Sequence, residues 1–164
     1  LRGLKMEDFG EKAVEFFSKG YNCSQSTAAA FAEYFSLDEQ EVLRSMAGFG
    51  GGIGGQREMC GAVTGMIYVL GHLLGNYDPH DTASKTELYK TVRALTEDFK
   101  KEFGTTNCRE LLLKASIIPK PDPSQRNAEY YRKRPCAHFV RKAAELVSLK
   151  ISENKNKLTR KNVQ

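Results

Sequence analysis

Residues 48–75 read GFGGGIGGQREMCGAVTGMIYVLGHLLG, a glycine-rich loop that runs into the most apolar segment of the chain, with Cys60 at the junction. Without a Cβ, the glycines leave the backbone free to take positive φ and to approach other groups closely. From Met59 onward, Ala62, Val63, Met66, Ile67, Val69, Leu70, Leu73 and Leu74 cover almost the whole circumference of a helix, the pattern of a buried central element. Gly61 and Gly65 share one face of it and open that face to a neighbouring helix or a cofactor. The apolar run is shorter than the about 20 residues that cross a bilayer, so the stretch predicts the core helix of a soluble domain, with no membrane partner.

Outward from this centre, further helices are predicted. Phe9, Ala13, Phe16 and Phe17 share a face over 7–19, and Gly20 supplies a stop. Asn22 suits the cap of a second helix from Cys23 to about Ser36, and Asp38 the cap of a third over 39–46. Beyond the turn at 75–79, Leu88, Val92, Leu95, Phe99 and Phe103 form the stripe of a long helix capped by Asp81 or Thr82. Asn107 caps a short helix starting at Cys108. The proline-rich 119–127 reads as a surface loop, and Pro135 opens a last helix with Cys136, Phe139, Val140, Ala143 and Val147 inward. The expected fold is all-α, a compact helical bundle around a buried central helix over about 58–75, with the glycine loop at its N-terminus.

One domain is expected over 6–149, because 164 residues leave no room for a second core. Residues 1–5 precede Met6, and nothing in the reading depends on them. Much of the net charge of +5 sits in 150–164, where Lys150, Lys155, Lys157, Arg160 and Lys161 face Glu153 alone. That segment is expected to be a basic, mobile C-terminal tail. A second basic cluster, Tyr130-Tyr131-Arg132-Lys133-Arg134, has the mixture that stacks on bases, but reads more simply as a solvated loop anchored by its tyrosines. Nucleic acid is therefore not an expected partner. No secretory leader pattern opens the chain, and a cytoplasmic location is the expectation.

Cys23, Cys60, Cys108 and Cys136 lie far apart, yet each falls in the first turn of a predicted helix and heads its apolar stripe. Unpaired N–H groups at a helix start favour thiolate, and so favour metal binding or redox reactivity. Four inward thiolates need a neutralising partner, or must be protonated or oxidised. Iron and zinc both accept four cysteines, and the C-x-x-C spacing of zinc ribbons is absent. The bland alternative is four inert thiols acting as small hydrophobes.

The segments GYNCSQ at Cys23, CGAVTG from Cys60 to Gly65, NCRELL at Cys108 and PCAHFV at Cys136 resemble the redox-active protein family defined by a Cys, CGAxxG, Cys, Cys pattern. The glycine-rich lead-in adds to the resemblance, which implies four functional, redox-active cysteines. The chain is also similar to the non-haem portion of split-Soret cytochromes, which implies an iron–sulfur cluster as cofactor. With no C-x-x-C-H, covalent haem is not expected.

The leading expectation is thus a small electron-transfer or redox protein whose four cysteines form one metal site, most plausibly iron–sulfur, working with an unidentified redox partner and compatible with a homo-oligomer. The runner-up is a metal-free thiol–disulfide oxidoreductase cycling the same cysteines. The third is a zinc-stabilised helical interaction module, with zinc less favoured than iron. Gly51, Gly52, Gly54, Gly55, Gly61 and Gly65 are the candidate cofactor-binding glycines. Gly50, Gly52 and Gly55 formally satisfy G-x-G-x-x-G, but no strand precedes them, and Gln56 stands where a Walker lysine would. A phosphate-bearing group at the loop stays open. His138, His72 and His80 read as packed or solvated rather than as ligands, and Glu58 as a complement to the helix dipole.

Overall fold

The computed structural model describes residues 7–161. In chain order the helices are α1 (Phe9–Ser18), α2 (Cys23–Ala29), α3 (Glu39–Met46), the single turn α4 (Gly50–Ile53), α5 (Gly61–Leu74), α6 (Thr82–Phe103), α7 (Cys108–Lys114), α8 (Ala128–Lys133) and α9 (Cys136–Lys161), with a tighter turn at Ala47–Phe49 before α4. The fold is all-α. Among the described residues the β pairing is one isolated antiparallel bridge, Met59 to Asn107. No described helix is long and apolar enough to cross a membrane.

Local chemistry sets where the helices begin. Asp8, Asn22, Asp38, Asp81, Asn107 and Asn127 each accept the backbone N–H three residues on. Each such cap satisfies one orphaned donor of the first turn and is worth about 1 kcal/mol. At Asn22 the cap is reciprocal, since Gln25 Oε1 accepts the Asn22 N–H at 3.0 Å.

The core forms around α5, where Ala62, Val63, Met66, Val69 and Leu70 are all but sealed from solvent. Helices α2, α9 and α6 pack around it, and α1 lies along α9 and α2. Gly61 and Gly65 make the α2 crossing close. A Cβ at Gly65 would stand 2.8 Å from the Ser24 carbonyl oxygen and from Thr27 Cβ, and one at Gly61 2.9 Å from the Ser24 nitrogen. On the far side, Thr91, Leu95 and Phe99 of α6 and Phe139, Val140, Ala143 and Val147 of α9 complete the core.

Several boundaries differ from the sequence reading. Helix α2 ends at Ala29, and residues 30–36 continue as turns with bonds such as Phe31 N–H to the Ala28 carbonyl, so the segment winds tighter than an α-helix. Helix α5 begins at Gly61 because the backbone of 57–60 is drawn instead into bonds with 106–109. His72, placed deep in the central helix by its position among apolar residues, is exposed in the last turn of α5, against the rings of Tyr68 and Phe35. The cluster at 130–134 lies partly in α8, with Tyr131 packed edge-on to Phe17. The boundary expected at 150 falls inside α9, which runs on to Lys161 and buries Ile151. Residues 1–6, which include the five before Met6 and Met6 itself, and 162–164 lie outside the described part of the chain.

Candidate redox site

Each of the four cysteines stands at a helix start. Cys23, Cys108 and Cys136 are the first residues of α2, α7 and α9, and Cys60 is the N-cap of α5. Two local devices bring them together. The close approach at Gly61 sets α5 against α2, where an added Cβ would lie 3.0 Å from Cys23 Cβ. The bridge at Met59 and Asn107 aligns the second pair. Cys60 N–H donates to the Thr106 carbonyl at 2.8 Å, and Cys108 N–H to the Glu58 carbonyl at 2.6 Å.

The four side chains line one cavity of about 360 Å³. Gly50, Gly51, Gly52, Gly54, Gly55 and Gly61 also line it, and the loop 121–126 and Tyr130 of α8 close in from the other side. Gly65 does not reach the cavity; it serves the α2–α5 crossing. Of the loop glycines, Gly52 is the one that presses on the start of α7. Its φ is +65°, and a Cβ there would stand 2.7 Å from Arg57 Cα, Glu58 N and Cys108 Cβ. Ile53 and Arg57 also hold positive φ, 66° and 60°. For a β-branched residue such as Ile53 this is strained, and the strain sits beside the cavity.

Cys60 and Cys136 are buried, while Cys23 and Cys108 are half-buried, and all four are free thiols. Helix starts alone would favour thiolate, but burial outweighs them at three positions. Hydrogen bonding with Cys136, then burial, raises Cys23 well above the ordinary thiol range. Burial pushes Cys60 up to about 12, against the opposing N–H groups of Ala62 and Val63. Burial also raises Cys108, opposed by Arg57, whose Nη1 lies 3.7 Å from its sulfur. Cys136 moves the other way. The proton shared from Cys23 lowers it despite its own burial, and the charges of Arg134, Arg126 and Arg57 add to the effect. Of the four cysteines, Cys136 is therefore the most readily deprotonated in the metal-free site.

Three guanidinium groups belong to the cavity wall: Arg57, Arg126 and Arg134. Arg57 is 7% exposed, with its Nε donating to the Lys120 carbonyl at 2.8 Å. Sequence reasoning did not single out these arginines, because charged residues usually sit in solvent. Arg134 belonged to the cluster read as a solvated loop, and the aromatic residues beside it were the available signal. Tyr130, which lines the same cavity, is raised to about 12 by burial and by the charge of Cys136. Of the other candidates, His138, His80 and Glu58 are exposed and line no part of this cavity.

Among the described residues, no three His, Cys, Asp or Glu side chains meet closely enough to share a single metal ion.

The comparisons agree with the cysteine pattern. The family model described as "Putative redox-active protein (C_GCAxxG_C_C)" matches residues 21–149, which include all four cysteines. An uncharacterized protein of Archaeoglobus fulgidus is 26% identical over 154 residues, covering 88% of this chain and 93% of that protein. No solved structure matches the chain.

Proposed function

We propose, from the premise that the chain belongs to this redox-active protein family, that Cys23, Cys60, Cys108 and Cys136 together hold an iron–sulfur centre and that the protein is a small electron carrier. The observation that supports this is the meeting of four thiols, from four separate helix starts, at one cavity of about 360 Å³. Four cysteines are the usual donor set for such a centre. A cavity of that volume, lined by all four cysteines, has room for a cluster of several atoms, whereas a lone zinc ion would draw its sulfurs to within about 2.3 Å of itself. When bound, the centre supplies one-electron chemistry at a potential set by charge, hydrogen bonds to sulfur and exposure.

The chain's own residues fit that role. Arg57 donates toward the Cys108 sulfur, and the Arg126 and Arg134 charges offset thiolate charge at Cys136. The N–H groups of Ala62 and Val63 favour the thiolate form of Cys60. Because Cys23, Cys60 and Cys108 are protonated in the metal-free site, loading releases protons and is favoured by higher pH.

Anaerobic purification followed by iron, zinc and acid-labile sulfide analysis tests the proposal. Iron with sulfide supports it. Zinc without sulfide instead favours a zinc-stabilised module. No metal, with a titratable disulfide, favours the metal-free oxidoreductase. That second reading draws on the coupling of Cys23 with Cys136, which raises the first thiol and lowers the second.

A further inference from the structure

Of the three arginines in the cavity wall, only Arg57 hydrogen bonds to a cysteine among the described residues. Arg57 has its partners, the Lys120 carbonyl and the Cys108 sulfur. Arg126 and Arg134 do not hydrogen bond to any of the four sulfurs among the described residues. Arg126 is held between rings, its guanidinium carbon 4.6 Å from the Phe17 centroid and 4.5 Å from that of Tyr130, with Nη2 donating to the Tyr21 carbonyl at 3.1 Å. Its Nη1 is sealed from solvent and meets no acceptor. Arg134 also stands over the Tyr130 ring, at 5.0 Å from its centroid, with Nη2 donating to Ser124 Oγ at 3.0 Å. Among the described residues no carboxylate lies within 4.0 Å of Arg57, Arg126 or Arg134, whereas Arg44 and Arg141 on the surface each pair with a glutamate. No Asp or Glu lines the cavity.

A guanidinium with no carboxylate partner beside a cavity attracts an anion, and its planar fork matches a carboxylate or a tetrahedral oxyanion. Stacking on Tyr130 fixes both guanidiniums before any ligand arrives, which lowers the ordering cost of binding. We propose that the cavity binds a small molecule bearing an oxyanion group, carboxylate, phosphate or sulfate in type, on Arg126 and Arg134 beside the four cysteines. The cavity volume lies at the lower end of the range of small-molecule sites, about 300–1,000 Å³, and the loop 121–126 bounds it. This rests on the cavity being the functional site, not on what the cysteines hold.

The test titrates sodium phosphate, sulfate and acetate, at ionic strength fixed with chloride, into the full-length protein. It uses metal-free reduced protein and protein loaded with iron and sulfide, and reads calorimetric heat and melting temperature. Saturable one-to-one binding of phosphate or sulfate assigns a tetrahedral group, and of acetate a carboxylate. Arg126→Gln and Arg134→Gln should each weaken it about tenfold or more, while Arg132→Gln leaves it unchanged. Arg126→Lys, which keeps the charge but not the fork, gives an intermediate loss and covers the case in which the glutamine variant does not fold. Saturation by none of the three anions overturns the inference, as does binding indifferent to both Arg126→Lys and Arg134→Gln. Binding that vanishes on iron–sulfide loading also overturns it, because the arginines are then counter-charges to the centre. Protein that never takes up iron, yet binds an anion through Arg126, defeats the iron–sulfur proposal and leaves this one standing.

Discussion

Replacing Gly52 by alanine tests the link between the glycine loop and the cysteine site. The new Cβ meets Arg57 Cα, Glu58 N and Cys108 Cβ, each at 2.7 Å, and two of those neighbours are backbone. A φ of +65° adds strain of about 1–2 kcal/mol for a residue with a Cβ. Overpacking contributes about 1–3 kcal/mol more, so the expected loss is about 2–5 kcal/mol. For a chain of this size 1 kcal/mol moves the midpoint by about 2–4 °C, and the melting temperature should fall by roughly 4–20 °C. Since Cys108 Cβ is one of the displaced atoms, Cys108 should also become more reactive toward a thiol probe. Gly71→Ala is the matched control. Gly71 is exposed on α5, and an added Cβ there meets nothing within 4 Å. That change should raise stability by about 0.5–1 kcal/mol through helix propensity. Differential scanning calorimetry and thiol labelling of both variants decide the matter. A Gly52→Ala protein with the melting temperature and Cys108 reactivity of the parent would show that the loop does not press on α7, and the account of the cavity wall would fail.

In metal-free reduced protein at neutral pH, a small alkylating agent should modify Cys136 first, as peptide mapping will show; early modification of Cys60 would contradict the thiolate assignment. The same protein should lose stability between about pH 9 and 12, because Cys60 is raised from 9.0 to about 12 in the fold. The unfolded chain then releases its proton first, so this contribution is complete below 9 and is lost as pH rises. Denaturant midpoints at successive pH values, flatter in Cys60→Ala, check the sign. Ile151→Ala should cost about 2–5 kcal/mol, whereas removing residues 152–164 should shift the melting temperature by less than about 4 °C, within 1 kcal/mol, since the described residues beyond Ile151 are no more than partly buried.

The central helix was readable because its apolar residues encircle it, a pattern that needs no knowledge of neighbours. The helix starts at Asn22, Asp38, Asp81 and Asn107 were readable because a cap is local chemistry between residues three apart. Two of them, at Asn22 and Asn107, place Cys23 and Cys108 at the head of a helix. The backbone bonds joining 57–60 to 106–109 left no mark in the sequence, since two residues of pairing produce no alternation and involve no side chains. Arg57 and Arg126 were passed over for a related reason: their burial is created by other segments, the loop at 121–126 and the rings of Phe17 and Tyr130. Ile151 did carry a signal. It stands four residues after the buried Val147, on the same face, but the charges around it masked the stripe.

The distribution of the cysteines has a consequence for biosynthesis. The first donor heads α2 and the last heads α9, so a growing chain contains no complete donor set until α9 has left the ribosome. The segments that position Cys60 and Cys108 also depend on each other across the long α6. An emerging fragment carries its thiols apart and open to solvent, the state most open to oxidation. If the four cysteines hold a centre as proposed, its assembly waits for the start of α9, and the thiols are most open to oxidation before α9 packs beside the cavity.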